Sequence, residues 1–415
     1  MKNLFYRVVA AALAATMGAT LVGACGVDEV LAPVPAEREP PPTFRHQSFY
    51  ESLSSDVEVL NIESGDWLED YGDAAFYGLA FYAQAGVETQ AQAWLDRAEA
   101  ARQRSLTLID DADLINGDLN EIAMATLGLI EYLDATGDQT DLPLIDELID
   151  RLDTLVGAVG WYLEVEEINS WALDTYGPTS ISALIGIINV QYAALIGGPR
   201  AADRLAWAAQ MAAKIDERAY DGSSYAFGKG REGLFLYPNI TMIILWARLA
   251  QQAGDPAHVQ RARSIYQAIQ PLKVSNDADG SVRYRSPYSA TLMGAQTDDY
   301  STLSSQNYLM LALMLLYETT GEAAFVDETD GVLDMLSTQL YGQWCFSDFH
   351  HQPCVPACQT GQACVVDLCA DDQCTGGVLH HWMDGAIAQP HDPEYYCSGC
   401  NLQLLYLMWY RQAQL

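Results

Sequence analysis

The chain has 415 residues, half of them hydrophobic, and carries 55 Asp and Glu against 21 Lys and Arg, a formal net charge of −34. A field of that sign repels nucleic acid, anionic lipid surfaces and polyanionic substrates, and suits neutral or cationic ligands. The apolar fraction is ample for a large core.

Residues 1–24, "MKNLFYRVVAAALAATMGATLVGA", combine a basic start (Lys2, Arg7), a short apolar run and small residues before Cys25. That order predicts a secretory signal rather than a membrane span. The ending "LVGAC" resembles the lipobox of bacterial lipoproteins. The resemblance implies that Cys25 is lipidated and anchors the mature chain in a bilayer, with Gly26 directing it to the outer membrane or cell surface. No later stretch reads as long and apolar enough to cross a bilayer. Residues 25–44 are rich in proline, which predicts an extended tether.

From residue 45 to 415 helical periodicity dominates, with an apolar helix, a glycine turn and an amphipathic helix recurring. The glycines fall at Gly86, Gly137, Gly197–Gly198, Gly254 and Gly321. Glycine suits a helix C-cap because it enters the left-handed region without strain. Five hairpins result. A sixth pairs the C-terminal "NLQLLYLMWYRQAQL" with a short helix near residues 46–56. The first helix of each hairpin is the more apolar, as expected for an inner ring inside an outer one.

This pattern resembles the (α/α)6 toroid of six-hairpin glycosidases and N-acylglucosamine 2-epimerase-like proteins. The resemblance implies an all-α fold and a sugar-processing role. A helical solenoid is the alternative, disfavoured by the long and irregular period.

Links between hairpins are long and rich in aromatic and charged residues, and all precede an inner helix, so in a toroid they gather on one rim. They supply candidate sugar-binding residues: Trp67, Asp70, Tyr71, Trp171, Tyr176, Arg231, Glu232, Arg283, Tyr300, Trp344, His350, His381, Trp382 and Asp384. Aromatic faces stack on sugar C–H surfaces, and carboxylate and guanidinium groups bind hydroxyls. Two links end alike, at Glu69-Asp70-Tyr71 and Asp298-Asp299-Tyr300. Adjacent aspartates are the catalytic pair of endo-α-1,6-mannanases of the same architecture, which by resemblance makes Asp298 and Asp299 the candidate acid and base. Helix capping is the competing explanation for these acids.

Eight cysteines lie in the last 71 residues: Cys345, Cys354, Cys358, Cys364, Cys369, Cys374, Cys397 and Cys400. An even count in an exported chain predicts disulfides. We read residues 345–400 as a disulfide-braced flap inserted in the last link, with zinc held by thiolates as the less favoured alternative. No cofactor or metal is expected. The expected partner is a neutral or amino-sugar glycan, handled by a glycoside hydrolase or bound by a non-catalytic surface lipoprotein.

Overall fold

The computed structural model describes residues 43–63, 72–111, 119–157, 177–227, 233–276, 278–286, 300–346, 353–354, 374–378, 381–383, 386–387 and 398–413. Twelve α-helices lie among them: α1 (Gln47–Glu63), α2 (Gly72–Thr89), α3 (Gln92–Asp111), α4 (Leu119–Thr136), α5 (Leu142–Gly157) and α6 (Gly177–Ile196). The others are α7 (Gly198–Ala219), α8 (Leu236–Ala253), α9 (Pro256–Ala268), α10 (Leu303–Thr320), α11 (Ala324–Met335) and α12 (Ser398–Ala413).

The even-numbered helices α2, α4, α6, α8, α10 and α12 pack each against the next, and α12 packs back on α2. They form a closed inner ring. The odd-numbered helices lie outside it, with α1 completing the sixth hairpin against α12. The chemistry of the two rings differs as their positions demand. Between Leu236 and Ala250, α8 is buried at every residue but Arg248, since it faces neighbours on both sides, the outer ring and the axis. By contrast α7 buries Ala201, Arg204, Ala208, Met211, Ala212, Ile215 and Ala219, a stripe at three- and four-residue spacing.

Gly254 and Gly321 end their helices in the left-handed conformation, as expected of glycine caps. Gly86 does not. It lies inside α2, and the turn falls at Gln90, which itself adopts positive φ (54°). The reason for glycine at 86 is packing, because a Cβ there would stand 2.6 Å from the Leu95 side chain of the paired helix. The first helix also differs from expectation, running to Glu63. Helix α6 corrects another expectation: Pro178–Ile196 is long and apolar enough to cross a membrane, yet 78% of that window is buried inside the protein. An inner-ring helix has no polar face to keep, so it reads like a membrane span.

Short strands occupy the links. β1 (Lys273–Ser275) pairs antiparallel with β2 (Val282–Tyr284). β3 (Tyr300–Thr302), β7 (His381–Met383) and β8 (Ala386–Ile387) form a second sheet in the order β3-β7-β8. β5 (Pro353–Cys354), β4 (Tyr341–Phe346) and β6 (Cys374–Val378) form a third, and its β6 packs on α1.

Candidate functional site

Because the helices alternate in direction, all six inner helices start at the same end of the ring, which forms its rim. The best-defined part of the rim is the entrance to α10. Thr302 caps the helix, its side chain accepting from the Ser305 N–H in a capping box. Just upstream, β3 pairs with β7 so that Tyr300 stands opposite Met383, Ser301 opposite Trp382 and Thr302 opposite His381. Two segments about eighty residues apart in sequence, Tyr300–Thr302 and His381–Met383, are thereby fastened side by side.

Arg283 on β2 joins the same cluster. Its Nη1 donates to Ser301 Oγ (3.2 Å), and that hydroxyl donates to the Tyr284 carbonyl (2.9 Å). Gln306 of α10 holds Tyr284 as a neighbouring strand would: its Oε1 accepts from the Tyr284 N–H (3.0 Å) and its Nε2 donates to the Tyr284 carbonyl (2.9 Å). Behind this layer is Glu328 of α11, whose side chain is 6% exposed. It accepts from Tyr284 OH (2.6 Å) and Tyr266 OH (2.9 Å) and pairs with Lys273. Burial and the Glu328 charge push both phenols far above their ordinary range, so they stay protonated.

Below the rim the ring axis is closed by side chains from four inner helices. Tyr77 of α2, Met124 of α4 and Tyr308 of α10 are each the sixth residue of their helix. Tyr77 OH and Tyr308 OH are 3.2 Å apart, and Tyr308 OH donates to Met124 Sδ at 3.5 Å. Tyr237 of α8 contacts Tyr308 edge-on (6.2 Å between centroids), and its hydroxyl bonds Ser304 Oγ. Six residues into a helix is about 7.5 Å below its start. A layer of phenol and thioether groups therefore spans the ring at that depth. Ser180 and Ser182 of α6 are buried too, and their hydroxyls have no hydrogen-bond partner. Asn307 ties α10 to the start of α12 through the Cys400 carbonyl (2.8 Å).

Sequence reasoning missed Tyr77, Met124, Tyr237, Ser304 and Tyr308, because in an apolar helix they read as core. The available signal was the sixth position shared by Tyr77, Met124 and Tyr308, which is legible only once the helix starts are known. Of the candidates, the structure brings Arg283, Tyr300, His381 and Trp382 to one place. It puts Trp344 elsewhere, on β4 opposite Thr375 in the sheet over α1. Trp67, Asp70, Tyr71, Trp171, Tyr176, Arg231, Glu232, Asp298, Asp299, His350 and Asp384 lie outside the described residues, as do Cys25, Cys358, Cys364, Cys369 and Cys397. The strand register sets Cys345 opposite Cys354 on one side and Cys374 on the other. Cys400 is buried at the start of α12.

No protein-family model and no curated protein sequence matches the chain. Solved structures do. A D-mannose isomerase superposes with a TM-score of 0.60 at 11% identity, covering 91% of this chain and 100% of its own. A GH76 α-mannanase from Bacteroides thetaiotaomicron gives 0.58 at 11% identity, with 90% and 98% covered. The cellobiose 2-epimerase of Bacillus thermoamylovorans B4167 gives 0.54 at 15% identity, with 86% and 99% covered. Together with the closed ring of inner helices, these likenesses identify the chain as an (α/α)6 toroid, the six-hairpin architecture of these structures.

Proposed function

We propose that this protein is a carbohydrate-active enzyme, working at the rim where the inner helices begin, and that its reaction is glycoside hydrolysis. The observation that carries the proposal is the β3–β7 pairing. It sets His381–Met383 beside the strand that directly follows Asp298 and Asp299 in the sequence, with Arg283 bonded to Ser301 of that strand. Aromatic, guanidinium and imidazole residues on these adjoining segments, next in sequence to two acids, suit a polyhydroxylated, uncharged ligand. The solved neighbours are named as acting on sugars. One of the two aspartates would protonate the leaving oxygen while the other, ionised, acts as base or nucleophile.

The test is sugar release from neutral and amino-sugar glycans by the mature chain beside Asp298→Asn and Asp299→Asn. Each substitution is expected to lower the rate by about 10²–10⁴, the usual contribution of a general acid or base. Full activity in both variants would overturn the assignment. The placement of His381 opposite Thr302 favours a second reading, in which imidazole moves protons in an epimerisation or isomerisation. There His381→Gln abolishes interconversion of a free sugar, followed by NMR, and the Asn variants keep it. Binding without turnover in every assay would identify a glycan-binding protein.

The proposal extends to location, a lipid-anchored protein of the outer membrane or cell surface with a disulfide-braced flap. Cys25→Ala is expected to move the protein from the membrane fraction to the soluble fraction. An unchanged distribution would refute the anchor.

A further inference from the structure

Three cysteines of the C-terminal cluster fall in one row across a single sheet. In the order β5-β4-β6, Cys345 of the central strand stands opposite Cys354 of β5 on one side and Cys374 of β6 on the other. Directly paired residues of an antiparallel ladder share a face of the sheet, with Cα atoms about 4.5–5.5 Å apart. That separation lies inside the span of a disulfide, about 4.4–6.8 Å between Cα atoms. Both neighbours are therefore within reach of Cys345, and a sulfur takes one disulfide partner only.

The backbone distinguishes the two neighbours. β4 and β6 pair over five consecutive residues, from Tyr341 opposite Val378 to Cys345 opposite Cys374, whereas β4 and β5 pair over two. A disulfide needs two backbones held at a fixed separation, and the longer ladder holds them better. β6 is also packed on α1. β4 is fixed to the same helix by Tyr341, whose ring meets that of Phe49 edge-on at 5.2 Å. A bond to Cys374 closes a loop of about thirty residues, against about ten for Cys354, and so restrains the unfolded chain more.

We propose that Cys345 and Cys374 form a disulfide that staples β4 to β6, and that this staple positions the rim strand β7. Forming the S–S bond removes two protons and two electrons from the two thiols. The electrons pass to an oxidising disulfide such as oxidised glutathione, which is reduced to two thiols. Cys354 then pairs outside the row. The consequence for the rim follows from the path of the chain. β4 leaves α11 through a single turn, Leu336–Leu340, and so starts from the outer ring. β6 ends at Val378, and β7 begins three residues on at His381, paired with β3 at the entrance to α10. Fixing β6 to β4 therefore fixes the strand that sets Trp382 opposite Ser301 and His381 opposite Thr302. The positioning role rests on the rim being the working site, and the pairing of the cysteines does not.

The test is an unreduced peptide mass map of the mature chain refolded with reduced and oxidised glutathione, a procedure independent of cellular location. Free thiols are first blocked by alkylation. Cleavage before Asp348 and Asp372 puts Cys345, Cys354 and Cys374 in separate peptides. The expected result is a Cys345 peptide joined to the Cys374 peptide. Cys345 joined to Cys354 or to any other cysteine, or recovered alkylated, overturns the staple. Hydrogen exchange then compares wild type with the double variant Cys345→Ser and Cys374→Ser, which strands no thiol. The amides of β7 and β3 are expected to exchange about tenfold faster in the variant. Unchanged exchange there overturns the positioning role. Neither readout uses turnover, so a protein inactive on every sugar would refute the enzyme reading and leave the staple standing.

Discussion

Replacing Arg411 by methionine, or Asp330 by asparagine, is expected to destabilise the protein by about 3–5 kcal/mol, the usual cost of stranding one charge of a buried pair. The Arg411 side chain on α12 is fully buried and that of Asp330 on α11 nearly so. The guanidinium donates through Nε (3.2 Å) and Nη2 (3.1 Å) to the two carboxylate oxygens. Phe44, just ahead of α1, lies beside the guanidinium at 5.9 Å from its ring centroid. The next residues, Arg45 and His46, reach Asp334 one turn further along α11. Burial lowers His46 below its ordinary range, so at neutral pH it leaves the charge pairing to the arginines. This clasp ties both ends of the folded region, the start of α1 and the end of α12, to α11. Urea unfolding followed by circular dichroism measures the loss. The double variant Asp330→Leu with Arg411→Met should recover most of it, because a buried ion pair is costly mainly when broken on one side. A loss below about 1 kcal/mol in both single variants would show that the clasp does not hold the ring.

The second large effect is expected from Glu328→Ala. The buried Tyr284 phenol, the half-buried Tyr266 phenol and Lys273 converge on this carboxylate, and alanine would leave their donors without an acceptor and open a cavity. A stability loss of about 3 kcal/mol is expected. The functional consequence should be larger than that figure suggests. Tyr284 belongs to β2, and β2 carries Arg283 to Ser301 at the entrance to α10. Freeing the Tyr284 ring should let β2 shift, lowering sugar turnover about 10–100-fold, as small misplacements of a site do. Turnover below the melting transition, measured beside Glu328→Gln, separates the two effects. Glutamine keeps one acceptor oxygen and should be the milder variant. Equal turnover in wild type and Glu328→Ala would show that β2 does not position the site.

Much of the fold was legible in the chain itself. Repeated apolar helices, each followed by a turn and an amphipathic partner, predicted hairpins, and Gly137, Gly254 and Gly321 marked their turns through positive φ. The same logic failed at Gly86, where glycine serves a close contact with Leu95 rather than a turn. Composition cannot distinguish the two uses, since each asks only that a side chain be absent. The rim was legible too, because link length and aromatic content are properties of the sequence. The layer beneath it was not. Tyr77, Met124, Tyr237 and Tyr308 come from four separate helices, and in each the local pattern is that of an ordinary apolar face.

What the sequence determined by itself was the class of the architecture, the strongly acidic character of the chain, and the clustering of candidate groups in the links. These follow from periodicity and composition, which act over one or two turns of helix. Only the tertiary structure decided that Arg411 of α12 clasps Asp330 of α11, that His381–Met383 pairs with the strand after Asp299, and that Trp344 is set apart from both. Those are pairings between segments tens to hundreds of residues apart. They are selected by packing and hydrogen-bond satisfaction in the folded chain, and no local pattern records which partner will satisfy which group.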